Sequence, residues 1–243
     1  ARVAMQSVGH FDGDGDMDMV CGNSKGKLVY CENKALPGQA ANFELVDPAW
    51  KLIDAGDFSA PQLIDIDKDG LMDLISGKRN GTLNFYRNTG TATAPEFQLI
   101  NEIFGDVDIT NTQLSNYGYN VPSFYKDKNG ETALFVGSEF GEIYVFDQID
   151  NNVDGSFRLL GNLPGIKEGW RSGIAVGNLN NDTLTDIMVG NYSGGMGLFF
   201  GKGDNIFGIG KRQERINSVL HITTNTAGKE VVISISGDFA NKP

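Results

Sequence analysis

Histidine and cysteine are scarce in this chain, two of each among 243 residues. His10 and His221 stand far apart, and neither falls into a pattern with serine, cysteine and acid that would build a hydrolytic constellation. The expectation is therefore a protein that is not an enzyme. Cys21 and Cys31 are too few for a disulfide scaffold and lack zinc-ligand spacing. One bridge across a hairpin and two half-buried free thiols both remain open as readings. Long apolar runs are missing too, with no stretch near the roughly 18 residues that cross a bilayer as a helix. Basic residues are outnumbered, 20 Lys and Arg against 31 Asp and Glu, which leaves a net charge of −11. Such a surface repels a phosphate backbone or an anionic membrane, so nucleic acid is not an expected partner. The chain opens Ala1-Arg2-Val3-Ala4, without initiator methionine or charged-then-apolar leader, and reads as a processed or truncated product.

What is abundant points one way. The 32 glycines and 15 phenylalanines suit many short strands joined by tight turns, an all-β chain. Self-comparison then shows a repeat. The pattern Asp, three residues, Gly, three residues, Gly occurs as Asp18-Gly22-Gly26, Asp73-Gly77-Gly81 and Asp186-Gly190-Gly194, and as Ala133-Gly137-Gly141 with the acid replaced. Apolar residues follow the second glycine at plus two and plus four: Leu28 and Tyr30, Leu83 and Phe85, Ile143 and Val145, Met196 and Leu198. That alternation predicts a half-buried strand, and the turn formers between the glycines predict a hairpin.

A further strand is expected at Asn42-Phe43-Glu44-Leu45, Glu96-Phe97-Gln98-Leu99, Ser156-Phe157-Arg158-Leu159 and Asn205-Ile206-Phe207-Gly208. With a strand before each acidic loop, every unit holds about four. The first glycines are 55, 60 and 53 residues apart, a period that fits four-stranded antiparallel blades of a β-propeller. The expected units are 1–50, 51–110, 111–165 and 166–211, followed by 212–243 as a hairpin that closes the ring or begins another segment.

Each unit also carries an acidic loop. Asp65-Ile66-Asp67-Lys68-Asp69-Gly70-Leu71-Met72-Asp73 places alternate carboxylates in a curling segment, with glycine where the chain must turn sharply. Converging hard oxygens suit Ca²⁺, whereas zinc prefers nitrogen or sulfur and Mg²⁺ a tighter octahedron. An EF-hand is excluded, because its twelfth position would be Ser76 and the flanks pattern as strands.

The nonapeptide and the run Tyr86-Arg87-Asn88-Thr89-Gly90-Thr91-Ala92-Thr93-Ala94-Pro95 resemble the FG-GAP/VCBS repeats of bacterial extracellular proteins, whose loops are similar to those of integrin α-subunit propellers. The resemblance covers about residues 8–210 and implies a propeller, loop calcium ions and a place outside the cytoplasm, at a bacterial surface or secreted. Carried over, it makes Asp65, Asp67, Asp69, the carbonyl of Leu71 and Asp73 the ligands of the second loop. The first loop offers Asp12, Asp14, Asp16 and Asp18, with His10 where the family has an acid or amide. The fourth offers Asn178, Asn180, Asp182, Leu184 and Asp186, its lower charge implying weaker binding. The third, Tyr125 to Ala133, lacks its first and ninth ligands, gains two lysines and is expected to keep the turn without the metal.

Calcium in such loops is structural, so the output function is expected on a propeller face, where loops present side chains on a rigid frame. Trp50, Trp170, Tyr117, Tyr119 and Tyr192 are candidate recognition residues. Two binding roles stay open: a module that docks a protein or mediates adhesion, and a surface accessory protein that captures glycan or other nutrient for an outer-membrane uptake system. A third alternative is a propeller module of a polysaccharide-degrading enzyme, for which Glu139 and Glu142 are the nearest acidic pair.

Overall fold

The computed structural model describes residues 5–36, 38–126, 130–180, 182 and 184–201, and beyond these the backbone of three strands at 214–216, 219–224 and 231–236. Four antiparallel sheets each hold four strands in chain order. The first is β1 (Met5–Gly9), β2 (Asp18–Gly22), β3 (Leu28–Asn33) and β4 (Phe43–Asp47). The second is β5 (Ala60–Ile64), β6 (Asp73–Gly77), β7 (Leu83–Asn88) and β8 (Phe97–Asn101). The third is β9 (Val121–Lys126), β10 (Thr132–Gly137), β11 (Ile143–Asp147) and β12 (Arg158–Asn162). The fourth is β13 (Gly173–Gly177), β14 (Asp186–Gly190), β15 (Met196–Phe199) and β16 (Glu214–Ile216). They are the four blades of a β-propeller. Among the described residues, helix is confined to single 3₁₀ turns at Trp50–Leu52 and Phe104–Asp106. The strand expected at 205–208 lies outside the described residues, and the outer strand of the fourth sheet is β16. A separate hairpin pairs β17 (Val219–Thr224) with β18 (Val231–Ser236).

The second blade shows why its inner strands alternate yet are buried on both sides, while β8 at its outer edge is largely exposed. Leu74 and Tyr86 pack toward the first blade with Val20, Leu28 and Trp50. Ile75, Leu83 and Phe85 pack toward the third with Leu134, Val136 and Phe146. A further cluster joins the third blade to the fourth through Phe135, Val145, Ile187 and Val189. A blade is thus an interior layer, and its alternation sorts residues between two neighbours rather than between core and water. In three blades the register shifts where the third strand meets the fourth, at Tyr30/Cys31, Phe85/Tyr86 and Val145/Phe146. A bulge repeated at one position bends each outer strand alike.

The two glycines of each hairpin do different jobs. The second, Gly26, Gly81, Gly141 or Gly194, has φ between +78° and +91° and makes the turn. The first abuts the next blade: a Cβ on Gly22 would lie 2.1 Å from the Ser59 carbonyl oxygen, one on Gly77 2.0 Å from that of Asn120, and one on Gly137 2.0 Å from that of Ser172. Cys21 and Cys31 are free thiols. They sit diagonally on neighbouring strands, Cys21 opposite Val29 and Cys31 opposite Met19, and burial raises the pKa of both.

Candidate metal centre

In three blades the last residue of the acidic loop is the first of the second strand. Asp18, Asp73 and Asp186 are wholly buried. One oxygen of each accepts a backbone N–H from the end of the third strand, Asn33 at 2.9 Å, Asn88 at 2.8 Å and Gly201 at 2.9 Å. The other accepts from the Tyr30 hydroxyl at 2.8 Å, the Ile66 N–H at 3.4 Å and the Leu179 N–H at 2.7 Å respectively. Burial pushes the Asp73 carboxyl up to about 6, although the Asn88 N–H pulls it down.

The third blade carries Ala133 at this position and reverses the connection. Asp150, beyond the third strand, accepts the Thr132 N–H at 2.6 Å and its hydroxyl at 3.0 Å. Lys68, from the second blade's acidic loop, pairs with the same carboxylate at 2.9 Å. Nothing in the nonapeptide pattern signals Asp150, because it lies outside that pattern.

In the second loop, carboxylate oxygens of Asp65, Asp67 and Asp73 lie within 4.8 Å of one another. Gly70, at φ +91°, turns the loop, and its N–H donates to Asp65 Oδ2 at 3.1 Å. Asp65 Oδ1 is buried with no hydrogen-bond partner, a costly arrangement unless a cation faces it. Arg87 Nε donates to Asp67 Oδ2 at 2.9 Å, one positive charge already in place. Asp69 lies outside the group; it is exposed, and its Oδ1 accepts the Leu71 N–H at 2.8 Å. Three converging carboxylates, one with an orphaned oxygen, fit a hard oxygen-seeking cation.

The other loops converge less. Asp12 and Asp14 are exposed, Asp16 is half-buried with an unpartnered Oδ1, and among the described residues the first loop's acids form no group of three. Each holds its neighbour instead: Asp12 Oδ1 accepts the Asp14 N–H at 3.1 Å, and Asp14 Oδ1 the Asp16 N–H at 3.0 Å. His10 Nδ1 faces the Asp16 carbonyl oxygen. Burial and then the charges of Asp14, Asp18 and Asp12 raise the Asp16 carboxyl. In the fourth loop, Asn178 Oδ1 and Asn180 Oδ1 share the Asp182 N–H at 3.2 and 3.1 Å, while Asp182 Oδ1 accepts the Leu184 N–H at 2.8 Å. Residues 127–129 of the third loop and 181 and 183 of the fourth lie outside the described residues.

The Gly-x-x-x-Gly hairpins lie at the other end of the strands, and four of the five candidate aromatics gather there. Arg79 stands over the Tyr117 ring at 3.9 Å. Arg171 stands over Tyr119 at 3.9 Å and Tyr192 at 5.1 Å. Phe140 meets Trp170 edge-on at 5.5 Å. Tyr192 and Trp170 are well exposed, whereas Tyr119 is buried. Trp50 belongs elsewhere: it is 4% exposed and packs between Tyr30, Phe11 and Phe97 in the core joining the first two blades. A cavity of about 540 Å³ on this face is lined by Asp57, Lys78, Arg79, Asn84, Asn116 and Tyr117.

Repeated four-stranded blades, with an acidic loop at one end and a glycine hairpin at the other, define a β-propeller whose fold suits recognition or binding. The model of the FG-GAP-like repeat family matches residues 10–76, the stretch from the first acidic loop through most of β6. No curated protein matches the chain. Among solved structures, the crystal structure of BBS1N in complex with ARL6DN, soaked with lead, is similar at 15% identity and a TM-score of 0.40, over 95% of this chain and 62% of that one.

Proposed function

We propose that this protein is a non-catalytic recognition module, secreted or held at a cell surface, whose blades are stabilised by calcium and whose hairpin face docks a protein partner. The observation that carries the calcium reading is the buried, unpartnered Asp65 Oδ1 beside Asp67 and Asp73. Asp65, Asp67 and Asp73 would hold the ion, with Asp69 and the Leu71 carbonyl as further donors. A bound dication would favour the ionised form of Asp73, which burial otherwise disfavours. Binding only the folded chain, calcium at a hundredfold excess over its Kd adds about 2.7 kcal/mol of stability. Docking is supported by the exposed Tyr192 and Trp170 and by the arginine–tyrosine stacks beside them.

Thermal unfolding in calcium, in magnesium and in chelator tests the metal. A calcium-specific rise in Tm is expected; an unchanged midpoint after complete chelation removes the reading. One observation favours glycan capture as a second role: Tyr117 stands beside Asn84 and Asn116 in the 540 Å³ cavity, an apolar ring next to amides. A glycan array with and without calcium separates the two, since sugar binding sinks a purely protein-docking role.

A further inference from the structure

The walls of the 540 Å³ cavity come from three stretches of the chain. Asp57 lies in the segment that enters the second blade, Lys78 and Arg79 in that blade's hairpin, and Tyr117 in the segment that approaches the third. Asn84, on β7, also lines it. The charges of these walls cancel. Lys78 and Arg79 are set against Asp57 and Glu102, while Asp54 is paired with Lys27 at 2.8 Å. An ion of either sign therefore meets as much repulsion as attraction, and the net charge of −11 disfavours anions further.

What these walls lack is hydrogen-bond partners. Asn84 is 4% exposed; its Nδ2 donates to the Ala55 carbonyl oxygen at 3.3 Å and to the Tyr86 hydroxyl oxygen at 3.0 Å. Its Oδ1 is buried and, among the described residues, accepts from no donor. Arg79 is the converse: its Nε is buried with no acceptor, and its guanidinium reaches the Asp57 carboxylate only at 3.5 Å. Both are costly in a folded chain. Lys78 Nζ donates to the Glu102 carbonyl oxygen at 3.0 Å, and burial pulls its pKa down. A hydroxyl group answers all three, because it donates one hydrogen bond, accepts two and brings no charge. Tyr117 adds an apolar surface. Arg79 covers one face of its ring at 3.9 Å, the side chain is 41% exposed, and the exposed Leu99 stands in the same wall.

We propose that this cavity binds one uncharged sugar unit of a glycan, with Asn84 Oδ1 and Arg79 Nε reading its hydroxyls and Tyr117 packing on its C–H groups. A sugar ring carries hydroxyls on its edge and C–H groups on its faces, which matches a pocket of mixed apolar wall and few convergent polar groups. The ligand donates to the asparagine and accepts from the arginine, so an analogue lacking either hydroxyl leaves a buried group unpaired and is rejected. The proposal rests on the glycan-capture reading and narrows it to uncharged sugars at one site.

The probe is a printed panel of neutral hexose oligosaccharides beside the matching uronates and amino sugars, read with the full chain in calcium. The best neutral binder and its single-deoxy analogues are then titrated by calorimetry. Neutral sugars are expected to bind saturably and better than either charged set. Tyr117→Ala removes an exposed ring, and Arg79→Lys keeps the charge while removing the Nε donor; each should weaken binding at least about tenfold, with Tm measured alongside to show that the fold is kept. At least one deoxy analogue should lose affinity for the wild type and not for Arg79→Lys. A preference for uronates or amino sugars, or neutral binding undiminished in either variant, overturns the proposal and leaves glycan capture to another surface. Deoxy analogues that lose affinity equally for wild type and Arg79→Lys overturn it as well. Absence of binding across the whole panel removes glycan capture itself, so the two failures are told apart.

Discussion

Oδ1 of Asp73 accepts the N–H of Asn88 at 2.8 Å, which ties the start of the second strand to the end of the third. Asp18 with Asn33 and Asp186 with Gly201 repeat the bond across the same fifteen residues. The ninth acid of the first, second and fourth loops is thus a structural anchor before any metal is considered. The earlier acids of the loop do not share that duty.

The two roles separate by mutation. Asp73→Ala leaves the N–H groups of Asn88 and Ile66 without their acceptor and should cost about 2–4 kcal/mol in urea unfolding even in chelator. Asp65→Ala should cost about 1 kcal/mol without metal, since one of its oxygens already lacks a partner. It should nevertheless abolish most of the calcium-induced rise in Tm.

Gly77→Ala should be severe for a reason unrelated to turn geometry. The added methyl would meet the Asn120 carbonyl at 2.0 Å, and backbone of the next blade must move to admit it. A loss of about 3 kcal/mol is expected in urea unfolding. A loss under about 1 kcal/mol would mean the blades slide apart freely.

The strand pattern and the acidic nonapeptides were legible because both are local. Alternation fixes which way Leu74 and Ile75 point, and Asp65, Asp67 and Asp73 sit within nine residues. What escaped the sequence depends on the neighbouring blade. Gly22 and Gly77 look like turn glycines until Ser59 and Asn120 are seen against them. Trp50 carries the same aromatic signal as Tyr192, and only packing shows one in the core and the other at the surface. Asp150 was invisible as the third blade's anchor because it approaches from the far end of another strand. Arg87, within the run that carried the family resemblance, gave no sign that it would face Asp67.

Acid should loosen the joint between the second and third blades. Burial alone would raise the Asp150 carboxyl, but Lys68 and the N–H and hydroxyl of Thr132 outweigh it and hold the pKa below its usual 3.8. A depressed carboxyl stabilises the fold above the unfolded-state value, and that contribution is lost as pH falls through the folded-state value. The stability gap between wild type and Asp150→Asn should therefore be full at pH 7 and close below about pH 4. A gap that stays constant to pH 3 would refute the assignment.

The core under that joint is aromatic. Phe104 is fully buried, stacks on Phe85 at 4.6 Å and meets Phe157 edge-on at 5.0 Å. Phe104→Ala should cost about 3–5 kcal/mol in urea unfolding. Because Ile66 of the acidic loop belongs to the same buried cluster, a reduced calcium-induced rise in Tm is expected alongside that loss.

The Lys68–Asp150 pair gives the propeller an internal asymmetry. The loop that gathers Asp65, Asp67 and Asp73 also reaches across to the third blade on its own lysine. Anything that rearranges those acids is therefore felt at Asp150 and, through it, at the start of β10.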